Sequence, residues 1–297
     1  MTSRRLLLVH AHPDDEVITT GATMAYYAAQ GAGVTLLTCT LGEEGEILVP
    51  EYALLAAAEA DQLGGLRIGE LAAALSALGV TDHRWLGGAG RFRDSGMMGE
   101  PANKHPRAFW RADEDEAVFE AAVSAAVDVV RDVRPQVVVT YDDRGNYGHP
   151  DHIMAHRVAT AAVERAGDPD YGSGEPWQVA KLYWICVPKS QIRRSYEALS
   201  AIQDRPFDVA DPDELPFGVG DELVTSVIDA TGFGEQKVAA LAAHRTQIAV
   251  DGPWFALSNM LGQEILALEY YTLVRGTLGP DRDEHGRETD LFSGIAS

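Results

Sequence analysis

The stretch RLLLVHAHPDDE, residues 5–16, joins an apolar run to a group of charged side chains. Its first seven residues have the length and composition of a buried strand. The run stops at His12, which is followed by a proline and three carboxylates. Charged groups at the mouth of a core are costly unless they are paired or bound to something. This stretch therefore predicts either a solvated loop or a cation site at the end of a buried strand.

The residues that follow repeat an order of strand, helix and strand. Residues 18–31 predict a helix closed by Gly31, and residues 33–41 predict a second buried strand. A later apolar run, QVVVTYD at 136–142, precedes another helical segment that begins at residue 148. This alternation predicts a doubly wound α/β domain over residues 1–169, with a mostly parallel sheet and helices on both faces.

The pattern is less regular beyond residue 170, and we predict a smaller C-terminal α+β subdomain over residues 170–297. Strands are expected at 181–188, 225–232 and 267–276, and helices at 233–248 and 255–268. Two separate helices are expected at 51–65 and 68–80, and the segment 90–112 reads as a long loop of the kind that often carries function. The polar tail at 279–290 is expected to be exposed.

The length, net charge and apolar runs of the chain argue against several classes of protein and partner. The chain has 297 residues and a net charge of −21, which argues against a nucleic acid or an anionic membrane surface as a partner. No apolar run is long enough for a membrane span, and the N-terminal run meets charged residues too early for a signal peptide. Cys39 and Cys186 lie in apolar runs and read as core thiols. A cytoplasmic location is expected, and the oligomeric state is left open.

A second charged motif, YGHPDH at 147–152, follows the run at 136–142. The carboxyl ends of parallel strands meet at one edge of a sheet, so this motif can meet HPDDE at 12–16. Two histidines and one aspartate make a zinc site with three protein ligands and an open position for water. The two adjacent aspartates of HPDDE allow one to be a ligand while the other takes a proton from water.

Both motifs together resemble the LmbE-like (PIG-L) de-N-acetylases. Longer strings resemble the members of that family that act in mycothiol biosynthesis; they are TCTLGEEGE (38–46), ADQLGGLRIGEL (60–71), LGGAGRFRDSGM (86–97), GNYGHPDH (145–152), AALAAHRTQ (239–247) and ETDLF (288–292). The resemblance implies a Rossmann-like sheet with a C-terminal subdomain that completes the substrate pocket. It also implies a zinc-dependent hydrolase that removes the acetyl group of N-acetyl-glucosaminyl-inositol, a small amino-sugar and inositol substrate.

The resemblance further implies roles for individual residues. The implied metal ligands are His12, Asp15 and His152, holding one Zn²⁺ per chain, with Fe²⁺ as an alternative in cells. The implied catalytic group comprises Asp14 as general base, His149 as the residue that stabilises the tetrahedral intermediate or protonates the leaving amine, Asp151 as the partner that orients His149, and Tyr147 near the oxyanion. The implied substrate contacts are Arg67, Asp94, Glu46 and Met97.

Alternative interpretations accompany each of these assignments. His10 reads as a core or supporting histidine. His156, four residues past His152, can pair with it as a metal ligand but reads as a helix-surface or supporting residue, because HPDDE already supplies two ligands. His244 can be a core or pocket-rim residue or a substrate contact, and Arg67 with Asp94 can be an ordinary ion pair. Two other functions stay open. One is a mycothiol S-conjugate amidase, a relative in which a lysine follows the DDE; here Val17, Ile18, Thr19 and Thr20 follow it, which favours the deacetylase. The other is a non-enzymatic metal- or sugar-binding module.

Overall fold

Residues 4–296 are described by this computed structural model, and most of its strands belong to one seven-stranded sheet. The strands of that sheet are β1 (Arg5–His10), β2 (Gly33–Thr38), β3 (Asp82–Trp85), β4 (Val137–Thr140), β5 (Lys181–Cys186), β6 (Ser226–Asp229) and β10 (Leu268–Arg275). Their spatial order is β3-β2-β1-β4-β5-β10-β6. A second, three-stranded antiparallel sheet contains β7 (Ala249–Asp251), β8 (Trp254–Ala256) and β9 (Gln263–Glu264).

The α-helices of residues 4–296 are α1 (Asp15–Ala29), α2 (Leu63–Leu78), α3 (Arg111–Glu114), α4 (Glu116–Val133), α5 (Gly145–Gly148), α6 (Pro150–Arg165), α7 (Lys189–Ser200) and α8 (Gly234–Ala243). The longer helices beside the central strands pack in two groups. Helix α1 contacts α2 and α8, whereas α4 contacts α6. The step from β1 to β2 and the step from β4 to β5 run in opposite directions across the sheet. Right-handed crossovers then place α1 and α6 on opposite faces.

The centre of the sheet is the most buried part of the fold. Strand β1 pairs in parallel with β2 on one side and with β4 on the other. Leu6, Leu7 and Leu8 are completely buried, and so are Val137 and Val139 opposite them. Burial of each such side chain contributes about 1.5–3 kcal/mol. The predicted α/β fold with a mostly parallel sheet is confirmed, and the chain reverses its direction of growth between β1 and β4, where such folds place their ligands.

Strands β5, β6 and β10 come from residues beyond 170 and extend the same sheet. Strand β10 runs antiparallel to both of its neighbours. The C-terminal residues therefore combine an edge of the central sheet with the small antiparallel sheet and helices α7 and α8. The division of the chain at residues 169 and 170 stays a prediction.

Two predicted helices are wrong. Residues 255–268 form β8, a turn at Met260 with a φ of 57°, and β9. Gly262 packs so closely in that turn that a Cβ there would lie 2.9 Å from the Cβ of Phe207. Residues 51–65 form a short 3₁₀ helix at Pro50–Leu55 and turns, after which α2 begins at Leu63 as one helix. Helix α7 is present where no helix was predicted.

Most residues of the polar tail at 279–290 are exposed, as predicted, but the end of the tail is anchored in the fold. Glu288 is completely buried. Its carboxylate accepts hydrogen bonds from Lys181 Nζ at 2.6 Å and from the hydroxyl of Tyr183 at 2.6 Å. The neighbouring Asp290 accepts a hydrogen bond from Tyr27 of α1 at 2.9 Å. The end of the tail is thus anchored in the core of the C-terminal half through Glu288, while most of its other residues are exposed. None of the helices within residues 4–296 is both long and apolar enough to cross a membrane.

Candidate active site

The two charged motifs meet at the carboxyl ends of β1 and β4. His12 follows β1, and His149 lies directly before α6, where its Nδ1 accepts a hydrogen bond from the backbone N–H of Asp151 at 3.1 Å. Pro150 occupies the first helical position, where a missing N–H costs nothing. This places His152 one turn further into the site. The meeting of the motifs that was predicted from parallel strands is present.

Three imidazoles form the centre of the site. The ring centroids of His12 and His149 lie 4.6 Å apart, those of His12 and His152 5.3 Å, and those of His149 and His152 5.0 Å. One nitrogen of each ring lies within 4.8 Å of the others. All three side chains are buried. Three imidazoles buried this close together form a set of nitrogen donors suited to zinc and other transition metals.

Asp15 lies between two of these histidines. Its Oδ2 is 3.3 Å from His12 Nδ1, and its Oδ1 is 3.3 Å from His152 Nε2. Among residues 4–296, Nδ1 of His152 has no partner, and Nε2 meets Asp15 only in a contact without hydrogen-bond geometry, although both nitrogens are buried. A buried polar atom without a partner is rare because it loses its hydration without compensation. His12, Asp15 and His152 therefore fit a metal ion, which would give the imidazole of His152 the partner that these residues do not supply.

A second group of possible donors surrounds the opposite side of His12. Its Nε2 lies 3.2 Å from Asp151 Oδ2 and 3.5 Å from Asp94 Oδ1. These two carboxylates already accept hydrogen bonds from protein donors: Asp151 from the backbone and hydroxyl of Ser95, and Asp94 from the backbone N–H groups of Gly96 and Glu44. These hydrogen bonds hold both carboxylates in place. The side of Asp15 and His152 fits a cation better, because the buried imidazole nitrogens of His152 have no hydrogen-bond partner among the described residues.

The charges at the site favour a cation. Burial opposes protonation of His12, but Asp94, Asp15 and Asp151 raise its pKa well above the usual value. Burial likewise opposes ionisation of Asp15, yet His152 and His12 lower the pKa of that carboxyl well below its usual range. The carboxylates thus create a negative potential around the imidazoles. Burial, with the neighbouring His12 and His152, lowers the pKa of His149 to about 2, so this ring is neutral.

Asp14 has an unusual backbone conformation beside the metal-ligand candidates. Its φ of 106° is in a region that non-glycine residues rarely adopt and that costs about 1–3 kcal/mol. Three contacts hold it there: Arg67 donates to the carbonyl of Pro13 and to Asp14 Oδ2 at 2.9 Å, and Glu16 Oε2 accepts the N–H of Asp14 at 2.8 Å. Burial raises the pKa of Asp14 to about 6, although Arg67 opposes the shift.

Glu16 is itself fixed by a buried partner. Its Oε1 lies 2.8 Å from His244 Nε2, and both side chains are completely inaccessible to solvent. His244 follows α8, so the C-terminal half of the chain supports the first turn of α1. His10 is bound by Thr20 and Tyr141 within the core, and His156 lies 3.0 Å from the carbonyl of Tyr141. These three histidines have protein partners, in agreement with the supporting roles that were weighed for them.

The predicted substrate contacts differ in exposure. Arg67 is only 2% exposed, and it donates hydrogen bonds to Asp14 and to the carbonyls of Pro13 and Gly42. Asp94 is also buried and pairs with His12, so the weighed ion pair between Arg67 and Asp94 is replaced by other partners. Met97 and Tyr147 are exposed by 45% and 40%, and Glu46 is exposed. The ring of Tyr147 lies 5.0 Å from that of His152.

Sequence interpretation missed Tyr141 and Ser95. The ring of Tyr141 stacks on His152 with centroids 4.2 Å apart, and its hydroxyl accepts the N–H of Ala11 at 2.9 Å. Ser95 binds Asp151 through both its backbone and its hydroxyl. Tyr141 stands at the end of the apolar run before HPDH, and Ser95 directly follows Asp94. The only sequence signal for Tyr141 and Ser95 was their proximity to these motifs. The orientation of both side chains depends on the tertiary structure and could not be predicted.

Comparison with known proteins identifies the family. Residues 7–163, more than half of the chain, match the family described as PIG-L: GlcNAc-PI de-N-acetylase. The chain belongs to the PIG-L family. One relative, from Geodermatophilus obscurus, is 64% identical over 297 residues, which cover 99% of this chain and 98% of the relative. That protein is named 1D-myo-inositol 2-acetamido-2-deoxy-alpha-D-glucopyranoside deacetylase.

Solved structures share the PIG-L fold seen here at low sequence identity. The N,N'-diacetylchitobiose deacetylase from Pyrococcus horikoshii is 18% identical with a TM-score of 0.52, covering 82% of this chain and 71% of its own. The 4-carboxy-2-hydroxymuconate hydratase from Pseudomonas putida is 16% identical with a TM-score of 0.59, covering 94% and 100%. One fold thus carries a deacetylase and a hydratase. Function must therefore be argued from the site.

Proposed function

We propose that this protein is a metal-dependent N-deacetylase of mycothiol biosynthesis. Its substrate would be 1-D-myo-inosityl 2-acetamido-2-deoxy-α-D-glucopyranoside, and its products glucosaminyl-inositol and acetate. The near full-length identity to the relative from Geodermatophilus obscurus supports the substrate. The observation that carries the chemistry is the buried His152 imidazole, which lies beside His12 and Asp15 without a hydrogen-bond partner in the described part of the chain.

His12, Asp15 and His152 would hold the metal, which we propose to be one Zn²⁺ per chain with Fe²⁺ as the alternative. A bound divalent cation polarises an amide carbonyl and lowers the pKa of water. Two imidazoles and one carboxylate suit zinc and leave a position for small molecules. The negative charges of Asp94 and Asp151 on the far side of His12 further favour a cation here.

Asp14 is the proposed general base. It takes a proton from the attacking water while the oxygen of that water bonds to the acetyl carbon. The C–N bond then breaks while Asp14 returns that proton to the departing nitrogen, so the amine leaves as a neutral group. The second proton of the water is lost from the resulting acetic acid to solvent, which gives acetate. The side chain of Asp14 is largely buried beside Asp15, and its pKa of about 6 suits proton transfer near neutral pH. Arg67 and Glu16 hold the Asp14 turn rigid.

We propose that three further residues assist the reaction, namely His149, Asp151 and Tyr147. Because Nδ1 of His149 accepts the N–H of Asp151, its proton belongs on Nε2. A neutral imidazole with this tautomer can donate a hydrogen bond to a developing oxyanion, which favours stabilisation of the tetrahedral intermediate over protonation of the amine. Tyr147 lies beside His152 on the exposed side and can approach the same oxygen.

The amino-sugar and inositol hydroxyls are proposed to meet Asp94, Glu46 and Met97, whereas Arg67, the fourth substrate contact that the resemblance implies, is proposed to act through Asp14. Glu46 and Met97 are exposed and accessible to a ligand. Asp94 is buried within the rim of the site and offers a charged acceptor. For Arg67 the hydrogen bonds to Asp14 and Pro13 support a contribution through the base. A cytoplasmic location and the absence of nucleic-acid or membrane partners stay predictions from composition.

The test is release of free amine by the purified, zinc-loaded protein from two substrates offered separately. We expect faster release from N-acetyl-glucosaminyl-inositol than from a mycothiol S-conjugate. Faster release from the conjugate would assign the chain as a mycothiol S-conjugate amidase. Stoichiometric metal with no amine released from either substrate would support a non-enzymatic binding module and overturn the proposed reaction.

A further inference from the structure

A chain of hydrogen bonds joins the loop that carries Asp94 to the candidate metal ligand His12. The backbone N–H of Ser95 donates to Asp151 Oδ2 at 2.9 Å, and its hydroxyl donates to Asp151 Oδ1 at 2.5 Å. The same Oδ2 lies 3.2 Å from His12 Nε2. Ser95 and Asp151 are completely inaccessible to solvent. This chain of hydrogen bonds is therefore shielded from water. Hydrogen bonds in such a buried environment influence side-chain orientation more strongly than hydrogen bonds in water.

Ser95 is held firmly on its other side. Its hydroxyl oxygen accepts the backbone N–H of Trp110 at 2.9 Å, and its carbonyl accepts a hydrogen bond from Asn103 Nδ2 at 2.5 Å. A serine hydroxyl has one hydrogen. Because Trp110 donates to the oxygen, that hydrogen is free to point to Asp151. The direction of the chain is thus fixed by the loop itself.

The chain determines which nitrogen of His12 is available. Both oxygens of Asp151 accept hydrogen bonds from Ser95, so the carboxylate acts as an acceptor and His12 donates to it from Nε2. Its Nδ1, which faces Asp15 Oδ2 at 3.3 Å, is then the nitrogen left for a metal ion. A ligating histidine usually donates its other N–H to such an acceptor, which sets the tautomer and the orientation of its ring.

The resemblance assigns Asp151 to His149, but the carboxylate has other partners. What His149 receives from Asp151 is the backbone N–H, while the carboxylate binds Ser95 and His12. We propose that Ser95 is a positioning residue which, through the carboxylate of Asp151, fixes His12 for metal binding. This inference rests on the proposed function, because it takes His12 to be a metal ligand.

A purely structural alternative is that Ser95 only ties its loop to α6. Asn103 provides the matched control, because its side chain binds the carbonyls of Ser95 and Met97 and the N–H of Gly99 in the same loop. Asn103→Ala therefore loosens the loop and leaves the chain to His12 intact. Ser95→Ala removes the hydroxyl and keeps the backbone N–H that also binds Asp151.

The experiment measures the dissociation constant of Zn²⁺ by competition with a chelator, together with the visible spectrum of the Co²⁺-loaded protein. We expect Ser95→Ala to weaken Zn²⁺ binding about 10- to 100-fold and to change the Co²⁺ spectrum. Asn103→Ala should change affinity by no more than about twofold and leave the spectrum unchanged. Asp151→Asn combined with Ser95→Ala should weaken binding less than the product of the two single effects, because both act on one chain.

The controls separate this inference from the proposed function. If the wild-type protein binds no stoichiometric Zn²⁺, or if His152→Ala keeps it, the proposed metal site fails. If that site passes and Ser95→Ala matches Asn103→Ala in affinity and spectrum, the positioning role is overturned. Additive effects of Ser95→Ala and Asp151→Asn would overturn it as well. Thermal unfolding of the metal-free variants verifies that each is folded before it is compared.

Discussion

Arg67 holds Asp14 in place by hydrogen bonds to the side chain of Asp14 and to the backbone carbonyl of the preceding residue, Pro13. One guanidinium nitrogen donates to the carbonyl of Pro13 and to Asp14 Oδ2, and the other donates to the carbonyl of Gly42 at 2.7 Å. The positive φ of Asp14 is a costly conformation that persists only where several contacts determine it. The planar fork of an arginine can make these contacts together, which a lysine ammonium cannot.

Arg67→Lys is therefore expected to reduce kcat, up to about 100-fold, because a small displacement of the base is enough for such a loss. KM should change little, since Arg67 is only 2% exposed. Steady-state amine release over a range of substrate concentrations separates the two constants. Arg91→Lys, at an exposed position, is the control. A raised KM with an intact kcat would instead identify Arg67 as a direct substrate contact.

Asp14→Asn tests the base itself. The amide is nearly the same size but cannot accept the proton from water, so turnover should fall by about 10²- to 10⁴-fold. Metal content should remain stoichiometric, because Asp14 is not among the proposed ligands. Amine release and bound zinc are measured on the same preparation. Asp128→Asn, on the exposed face of α4, serves as the control. Near-normal turnover of the Asp14→Asn variant would remove Asp14 from the mechanism.

Local patterns predicted the centre of the fold well. The runs at β1 and β4 are apolar because they are buried between helices, and this burial is visible in the sequence itself. The wrong helix at 255–268 has a different cause. Its apolar residues pack as short strands around Gly262, where Phe207 and Leu199 approach from distant parts of the chain. Such tertiary contacts override local propensity.

The residues that meet in the candidate site were predictable from the sequence, but several of their side-chain contacts were not. The meeting of His12 and His152 follows from strand direction alone, and the structure contains it. The partners of Arg67 and of the Asp151 carboxylate were not predictable. Each side chain can turn toward several acceptors or donors, and the choice depends on the loop around Ser95 and on the turn at Asp14. Side-chain orientation of this kind has no periodicity in the sequence.

Removal of the metal should abolish activity and lower stability together. Chelation is expected to stop amine release, and Zn²⁺ should restore it. At a Zn²⁺ concentration about 100 times its dissociation constant, the ion should stabilise the fold by about 2.7 kcal/mol. Thermal unfolding with and without Zn²⁺ measures this difference. His152→Ala should show neither recovery nor stabilisation, whereas His285→Gln, at an exposed position, should show both. Full activity after exhaustive chelation would argue against a metal mechanism.

We expect His156 to make the fold sensitive to acid. Burial lowers its pKa below the usual 6.5, although the carbonyl of Tyr141 opposes the shift. The folded state therefore prefers the neutral ring. This preference stabilises the protein above pH 6.5 and is lost as the pH falls below that value.

In His156→Gln, the free energy of unfolding should consequently decrease less steeply with falling pH below 6.5. One titrating group changes this slope by at most about 1.4 kcal/mol per pH unit. Denaturant unfolding of the metal-free protein at a series of pH values measures the slope. His285→Gln is the control for loss of an exposed imidazole and should follow the wild type. Parallel curves for His156→Gln and the wild type would mean that the buried ring does not contribute.

Glu288→Gln tests the anchoring of the tail in the core. The substitution leaves the buried ammonium of Lys181, now 2.6 Å from the carboxylate, without its counter-charge. Loss of one partner of a buried ion pair costs about 3–5 kcal/mol, because the remaining charge is not compensated. Urea unfolding should show this decrease. Glu284→Gln, whose side chain is 89% exposed, should stay within about 0.5 kcal/mol of the wild type. Equal midpoints for the two variants would show that the tail contributes no more than a surface segment.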